Sequence, residues 1–333
     1  MNLHAKWICP SQNTGEVCPV FFKRFALNRT PLSATLSITA LGVYEARLND
    51  GRIGDFILAP GWTAYEKRLQ VQTYDITSLI SSENTLSVTV GKGWYRGRIA
   101  WPSPEETARR AAVPAGLIAV LTLTYPDGSC ETISTDESWL WAKSGVLASE
   151  IYDGEIFDAR TEPSASLVPV ITFDGPDHTL IPQQGPFVTE QERISPISIF
   201  TTPAGERVID FGQEVTGYPE ISLNAAAGEI LELSCAEVLD REGNFYTENY
   251  RSAKAKYTCI CKDGFQTCKP RLTFYGFRYL RLDSFPGGAD AALPEQFCAV
   301  AVNSAMKRTG RLSCSNPLLN RFFENVIWGQ KGN

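Results

Sequence analysis

Short alternations of apolar and polar residues, separated by turn residues, dominate the hydrophobic pattern of the first half of the chain. This period of two is typical of half-buried β-strands. The segments that show strand patterns are residues 34–40, 43–48, 85–90, 117–125 and 130–133. Turn residues at Asn49-Asp50-Gly51 and Pro126-Asp127-Gly128-Ser129 predict hairpins. We expect the glycine of the first turn to take a positive φ, because glycine has no Cβ.

Prolines recur between residues 167 and 203, and a proline cannot donate to a sheet ladder. We therefore predict connectors or edge strands there and place a domain boundary near Gly185. Strand-like segments resume at residues 230–234, 256–261 and 279–282. Because no long helical pattern separates the strands, we predict a mainly β chain with two jelly-roll-like β-sandwich domains in tandem, over residues 1–185 and 186–302.

Residues 303–333 are predicted to form a linker and a short C-terminal helix. Asn316 can cap the helix, and Pro317 fits its first turn. One helical face then carries Leu318, Leu319, Phe322, Phe323, Val326 and Ile327. Either this face folds back on the second sandwich, or the helix is the first of a further domain. In the second case we expect self-association or binding of apolar dyes.

Composition and charge narrow the possible partners. A net charge of −6 argues against a nucleic-acid backbone as the main partner. No apolar run approaches the roughly 20 residues of a membrane helix, and no signal peptide opens the chain. Nine scattered cysteines then predict a reduced, cytoplasmic protein. With only His4 and His178, a multi-histidine metal site is excluded.

Eight segments, in their order along nearly the whole chain, resemble bacterial α-L-rhamnosidases, a family of glycoside hydrolases. Three of them are Gly91-Lys92-Gly93-Trp94-Tyr95-Arg96-Gly97, Asp210-Phe211-Gly212-Gln213 and Thr273-Phe274-Tyr275-Gly276-Phe277-Arg278-Tyr279. The others are residues 58–63, 73–77, 151–160, 237–244 and 325–333. Each segment alone is a weak signal, but together they cover both predicted sandwiches and the helix.

The resemblance implies β-sandwich domains ahead of an (α/α)6 catalytic barrel, whose acidic residues protonate the leaving group and activate water. In the family, the first acidic motif follows shortly after the segment matched here by residues 328–333. We therefore expect no catalytic residue and no cofactor in this chain. The partners that the resemblance implies are L-rhamnose-containing glycosides and a C-terminal catalytic domain.

Three acids lie close together in the sequence, at Asp153, Glu155 and Asp158. On a strand, the first two would share a face at a spacing near the roughly 6.5–9.5 Å that inverting glycosidases need. The alternative, which we favour, is that these acids pair with Arg160 or cap backbone amides at a domain interface or pocket rim.

An aromatic group in the first domain is a candidate sugar site. It comprises Trp62, Tyr65, Trp94, Tyr95 and Trp101. Aromatic rings stack on the apolar C–H face of a pyranose, and Arg96 or Arg98 could reach its hydroxyl groups. The alternative interpretation, favoured for most aromatic residues of a sandwich, is that these rings belong to the core.

Two groups could bind metals. Asn49, Asp50 and Asp55 surround a turn and could hold calcium, although a hairpin with solvated acids is the interpretation we favour. A second group, Cys259, Cys261 and Cys268, lacks a fourth zinc ligand and the usual spacing. Small buried side chains on one strand face explain these cysteines more simply.

Together these observations predict the non-catalytic N-terminal region of an α-L-rhamnosidase. The parent enzyme would remove terminal α-L-rhamnose by inverting hydrolysis, and this region would support the barrel, shape the pocket rim and bind sugar weakly. One alternative is a stand-alone carbohydrate-binding β-sandwich protein without hydrolase activity. Another is a complete small hydrolase that uses Asp153 and Glu155.

Overall fold

A computed structural model describes residues 2–99 and 102–332. The described part is mainly β-structure and divides into two compact units. The first unit comprises Met1–Ile151 and Glu155–Gly185, and the second comprises Tyr152–Gly154 and Pro186–Asn333.

The first unit contains the first fourteen strands and two short helices. The strands are β1 (Trp7–Pro10), β2 (Pro19–Ala26), β3 (Ser33–Ala40), β4 (Val43–Leu48), β5 (Gly51–Arg52), β6 (Arg68–Asp75), β7 (Glu83–Gly91), β8 (Leu117–Thr124), β9 (Cys130–Ser134), β10 (Leu140–Lys143), β11 (Val146–Glu150), β12 (Gly154–Asp158), β13 (Val168–Phe173) and β14 (Thr179–Pro182). The helices are α1 (Gly93–Arg96) and α2 (Pro104–Ala112).

Strand β13 joins two layers of the first unit. The pairing order is β14-β6-β3-β8-β1 on one side of β13 and β10-β2-β7-β4-β5 on the other, with β9 on β8. Pro169 pairs with Leu140 of β10, whereas the next residue, Val170, already pairs with Pro10 of β1. The expectation of connectors or edges therefore holds for β14 but is wrong for β13. A proline is tolerated there because the strand changes partners at that point.

The alternating pattern confirms the strand predictions in this unit. In β7, for example, Leu86, Val88 and Val90 are buried and the residues between them are half-buried. The turn after β4 forms as predicted, since Leu48 pairs with Gly51 of β5. The positive φ angles, however, lie at Asn49 (50°) and Asp50 (65°) and not at the glycine. A two-residue hairpin loop of this kind needs positive φ at both central positions, which Asn and Asp tolerate.

The second unit contains ten strands and one helix within the described residues. They are β15 (Val188–Ile194), β16 (Ser198–Thr201), β17 (Arg207–Ala225), β18 (Ile230–Ala236), β19 (Val238–Leu239), β20 (Phe245–Tyr246), β21 (Lys256–Ile260), β22 (Gly264–Cys268), β23 (Tyr275–Ser284), β24 (Phe297–Ser304) and α3 (Pro317–Lys331).

The 19-residue strand β17 organises this unit. The pairing order is β21-β18-β23-β17-β24-β15, and both β16 and β22 also pair with β17. Its first half bonds to β16 and β23, and its second half bonds to β24 and β22. The register against β23 shifts between Asp210 and Val215, so the strand bulges at this point. One strand thereby serves both layers of the predicted second sandwich.

Helix α3 begins as the sequence predicts. Leu318 N donates to Asn316 Oδ1 (2.9 Å), and Pro317 occupies the first helical position. The C-terminal end of the helix contacts β15 and β17: Lys331 pairs with Glu192, and Thr216 Oγ1 donates to the carbonyl of Gly332. Half or more of the surface of Leu318, Leu319, Phe322 and Val326 is exposed. No helix among the described residues has the length and apolarity needed to cross a membrane.

The exposed face of α3 should bind an apolar dye such as anilinonaphthalene sulfonate, because it presents contiguous apolar side chains to water. Changing Leu319→Ser and Phe322→Ser together should lower dye fluorescence and reduce any self-association seen by sedimentation. Phe265→Ser is the matched control, since Phe265 is equally exposed but lies on β22. Equal dye binding by the helix variant and the wild type would contradict this prediction.

Candidate functional site

Four of the five predicted aromatic residues meet at one cavity of about 380 Å³ in the first unit. Trp101, the fifth, lies outside the described residues. The cavity is lined by Trp62, Thr63, Tyr65, Glu66, Trp94, Tyr95, Ile99, Glu106, Arg109, Arg110, Val113 and His178. We refer to it as the aromatic pocket.

Two buried glutamines of β6 hold the loop that carries Trp62 and Tyr65 by hydrogen bonds to its main chain. The side-chain amides of Gln70 and Gln72 both donate to the carbonyl of Pro60, at 3.4 and 3.3 Å. The Ala59–Pro60 peptide bond is cis, and Gly61 has a φ of 80°. The main chain therefore turns sharply just before Trp62, which is 61% exposed. The ring of Trp62 is free to stack on a ligand.

Helix α1 places Trp94 and Tyr95 in the pocket and sends Arg96 elsewhere. Arg96 lies beside a different cavity, lined by residues near the N-terminus and the end of α2. Burial lowers the pKa of its guanidinium, and its Nε has no hydrogen-bond partner within the described residues. The prediction that Arg96 contributes to the aromatic site is therefore wrong, because successive residues of a helical turn point about 100° apart.

The rings of the aromatic pocket hold one another in place. Tyr65 and Tyr95 meet edge to face, with centroids 4.8 Å apart. The Tyr95 hydroxyl shares a hydrogen bond with His178 Nε2 (3.1 Å), and the Tyr65 hydroxyl donates to the carbonyl of Gly61 (3.0 Å). Burial raises the pKa of both tyrosines. Both hydroxyls therefore stay protonated at neutral pH and offer hydrogen bonds without charge.

Helix α2 adds charged groups that the sequence analysis missed. Glu106 accepts hydrogen bonds from Arg109 Nε and Arg110 Nε, both at 2.9 Å, and these bonds lower the pKa of its carboxyl. Arg110 Nη1 also donates to the carbonyls of Gly97 and Ile99. The signal that predicts this helix is its capping sequence, since Ser103 Oγ accepts from Glu106 N and a proline follows the serine.

Asp153 and Glu155 do not lie on one strand. Asp153 lies in a turn, where its carboxylate is 3.9 Å from Lys254 Nζ, whereas Glu155 lies in β12 and is buried. A shared strand face is therefore wrong for this pair. Asp158 accepts hydrogen bonds from Arg160 Nε (2.9 Å) and Nη2 (2.8 Å), which lower the pKa of its carboxyl.

Asn49, the first of the calcium candidates, has a structural role in its hairpin. Its Oδ1 accepts from Thr85 N (2.9 Å), and its Nδ2 donates to the carbonyl of Leu79 and to Asn84 Oδ1. Asp50 and Asp55 are exposed. A metal site needs several His, Cys, Asp or Glu side chains close together. Among the described residues, the only group of three is Cys259, Cys261 and Cys268, so neither aspartate belongs to such a group.

A second cavity, of about 560 Å³, lies within the second unit and was not anticipated from the sequence. It brings together parts of three segments that carry the family resemblance and one face of α3. Its lining residues are Gly212, Gln213, Glu214, Glu237, Val238, Arg278, Arg321 and Asn325. We refer to it as the charged pocket. Its acids lie more than 20 residues apart in the sequence, so no local spacing marks them.

Glu214 has an unusual environment in the charged pocket. Arg278 donates to both carboxylate oxygens of Asp210 (2.7 and 2.8 Å), so its guanidinium is already paired. Although the Glu214 side chain as a whole is exposed, desolvation of its carboxyl and the nearby charge of Glu237 raise its pKa to about 8. Glu214 is therefore largely protonated at neutral pH.

Comparison with known proteins identifies relatives along the whole chain. Family models match the alpha-L-rhamnosidase N-terminal domain over residues 29–192 and the bacterial alpha-L-rhamnosidase concanavalin-like domain over residues 200–303. An alpha-L-rhamnosidase of Streptomyces avermitilis is 35% identical over 314 residues, which are 90% of this chain and 30% of the relative. The chain spans about a third of the length of the curated relatives it matches.

Solved structures show the same relationship. The crystal structure of the native Aspergillus terreus enzyme, an alpha-L-rhamnosidase, matches with a TM-score of 0.93 at 35% identity, covering 99% of this chain and 40% of the other. The Streptomyces avermitilis alpha-L-rhamnosidase complexed with L-rhamnose matches with a TM-score of 0.87 at 32% identity, covering 95% and 31%.

The raised pKa of Glu214 predicts a stability that depends on pH. A carboxyl whose pKa is higher in the folded protein than in the unfolded chain loses its stabilising contribution as the pH rises through the folded value, here about 8. Relative to the wild type, Glu214→Gln should therefore gain stability as the pH rises from about 4.5, the ordinary pKa of the carboxyl, to about 8, and the difference should stay level at higher pH. Urea denaturation at each pH will measure this difference.

Glu242→Gln is the control for this experiment, because Glu242 is exposed and lies outside the charged pocket. A stability difference between wild type and Glu214→Gln that stays constant over the same pH range would contradict the assignment.

Proposed function

The chain belongs to the bacterial α-L-rhamnosidase family, and from this we propose that it is the N-terminal, non-catalytic region of an enzyme that removes terminal α-L-rhamnose from glycosides by inverting hydrolysis. The observation that supports this proposal is the extent of the match. The two matched domains fill residues 29–192 and 200–303, while the relatives are about three times as long as this chain. In this proposal the two units support a catalytic domain elsewhere in the enzyme and shape the rim of its pocket.

The state of Glu106, Asp158 and the candidate acids Asp153 and Glu155 argues against a catalytic site built from these four residues. An inverting glycosidase needs one carboxyl kept protonated as the acid and one kept ionised as the base. Glu106 and Asp158 are each held ionised by arginines, which is the opposite of what a general acid requires. Asp153 and Glu155, the candidates from the sequence, do not share a strand.

We further propose that the aromatic pocket binds a rhamnosyl residue. Its volume of about 380 Å³ lies in the range of small-ligand pockets, roughly 300–1,000 Å³. The exposed ring of Trp62 can cover the apolar face of a pyranose. Glu106 can accept hydrogen bonds from sugar hydroxyls, and Arg109 can donate to them. Because the two side chains form an ion pair, their charges largely cancel, which suits a neutral ligand. The same pocket would serve a stand-alone carbohydrate-binding protein, so catalysis has to be tested separately.

The first experiment is hydrolysis of an aryl α-L-rhamnoside by the purified chain, followed over hours at several pH values. We expect no release above that of the buffer, because the proposal places the catalytic acids outside these residues. The full-length Streptomyces avermitilis relative is the positive control. Release by this chain that disappears in a double variant, Asp153→Asn with Glu155→Gln, would overturn the proposal.

Binding at the aromatic pocket is tested by titrating L-rhamnose in a calorimeter. Trp62→Ala should weaken binding about five- to tenfold, since one aromatic contact contributes roughly 1 kcal/mol. The fold should survive, because Trp62 is exposed. Phe265→Ala, an exposed ring in the second unit, is the matched control. Unchanged affinity in Trp62→Ala would exclude this pocket.

Repeating the titration with calcium and with a chelator tests whether Asn49, Asp50 and Asp55 hold calcium.

A further inference from the structure

Three cysteines of the second unit converge in its interior. Cys259 lies in β21, Cys268 ends β22, and Cys261 follows β21 directly. Their sulfur atoms all lie within 4.8 Å of one another, and no more than 2% of any of these residues is exposed. None of the three lines the aromatic pocket or the charged pocket.

The strands that carry these cysteines are consecutive in the chain but have different partners. β21 pairs with β18, whereas β22 pairs with β17. In the ladders, Cys259 is opposite Leu231 and Cys268 is opposite Ile221. The two sulfurs therefore approach each other through side-chain contact, without backbone hydrogen bonds between their own strands.

The Sγ atoms of Cys259 and Cys268 are 2.9 Å apart. Atoms that merely pack against each other stay about 3.5–4.0 Å apart, so this pair is closer than ordinary contact. Cys261 Sγ is directed at the carbonyl of Cys259 (3.9 Å), whereas Cys268 Sγ is directed at the sulfur of Cys259. The geometry selects one pair out of the three thiols.

The chemistry of the site favours a disulfide over a bound metal ion. A structural metal ion takes four ligands, and the group holds three sulfurs with no fourth His, Cys, Asp or Glu among the described residues. A disulfide carries no charge and needs only two sulfurs. The thiol of Cys259 is the more easily ionised, because hydrogen bonds from Cys268 and Tyr257 lower its pKa.

We propose that Cys259 and Cys268 are a redox pair that forms a disulfide in the presence of a hydroperoxide such as hydrogen peroxide. The bond ties β21 to β22, which have different ladder partners, and so connects the ladder of β18 to that of β17. Residues 262–265, between β21 and the middle of β22, are exposed. Because peroxide is small and uncharged, we expect it to reach the sulfurs from this end.

The oxidation proceeds in two balanced steps. The Cys259 thiolate attacks one peroxide oxygen, the O–O bond breaks, and the departing hydroxide takes up a proton to give water and a sulfenic acid. The Cys268 sulfur then attacks the Cys259 sulfur, the S–O bond breaks and the S–S bond forms. The Cys268 proton leaves with the hydroxide as a second water. Two thiols are oxidised, and one peroxide is reduced to two waters.

Peptide mapping tests the pair directly. Cys130→Ser and Cys314→Ser remove the two exposed cysteines, so that links between molecules do not interfere. The protein is treated with hydrogen peroxide, unfolded in N-ethylmaleimide and digested with trypsin. Cleavage separates residues 257–262, which carry Cys259 and Cys261, from residues 263–271, which carry Cys268. We expect these two peptides to be linked, with the link lost on adding dithiothreitol, and we expect the thermal midpoint of the oxidised protein to rise.

Single variants identify the sulfurs involved. Cys259→Ala and Cys268→Ala should each lose the link, whereas Cys261→Ala should keep it. Cys235→Ala should also keep it and is the matched control, because Cys235 is equally buried in the same unit but lies outside the cluster. If a variant fails to fold, fragmentation of the linked peptides from the parent protein still identifies the bonded sulfurs.

Three results would overturn the proposal. One is alkylation of Cys259 and Cys268 after peroxide treatment, with no linked peptides. Another is a link that runs through Cys261. The third is stoichiometric zinc in the purified protein, measured by elemental analysis, which blocks the link until a chelator removes it. That outcome would make the cluster a metal site.

Discussion

The aromatic pocket depends on the close approach of two backbone segments, one at the start of β4 and one at the end of β7. A Cβ on Gly42 would lie 2.0 Å from the carbonyl oxygen of Gly91, and a Cβ on Gly93 would lie 2.5 Å from Val43 Cγ1. Val43 and Gly91 are paired in the ladder, so the contact continues directly from the sheet. Only glycines permit this approach. It fixes where α1 begins and therefore where Trp94 and Tyr95 point.

The other wall of the pocket is fixed by polar contacts and not by close packing. Tyr44 N donates to the carbonyl of Ala59 (2.7 Å), which attaches the loop before Trp62 to the same strand, β4. On the far side, the buried amides of Gln70 and Gln72 satisfy the carbonyl of Pro60. Buried polar groups of this kind are costly unless they are paired, and here each pairing also determines the position of the loop. Both walls of the pocket are thus attached to one strand, β4, through Val43 and Tyr44.

The strands were predictable because burial on one face leaves a period of two that any reader of the sequence can see, as in β3 and β7. Helix α2 has no apolar period, because its residues are mostly charged or small and none is buried. Only its capping sequence, Ser103 followed by a proline, marks it in the sequence. Arg96 lies on a different side of α1 from Trp94 and Tyr95. The sequence pattern does not show that these residues form a helical turn, so it does not show that their side chains diverge. The hairpin after β4 was predicted correctly although the conformation of its residues was not, since the turn type decides which residues take a positive φ.

The charged pocket was hidden for a different reason. Glu214 comes from β17 and Glu237 from the bend between β18 and β19, so the two acids meet only after the second unit has folded. The bond between Asp210 and Arg278 explains its electrostatics. Arg278 favours the charged form of Glu214, but its guanidinium is engaged by both oxygens of Asp210. Desolvation of the Glu214 carboxyl, together with the charge of Glu237, outweighs this attraction and raises the pKa of Glu214. The two pockets consequently differ in kind. One has two acidic and two basic residues around four aromatic rings, and the other holds a carboxyl with a raised pKa.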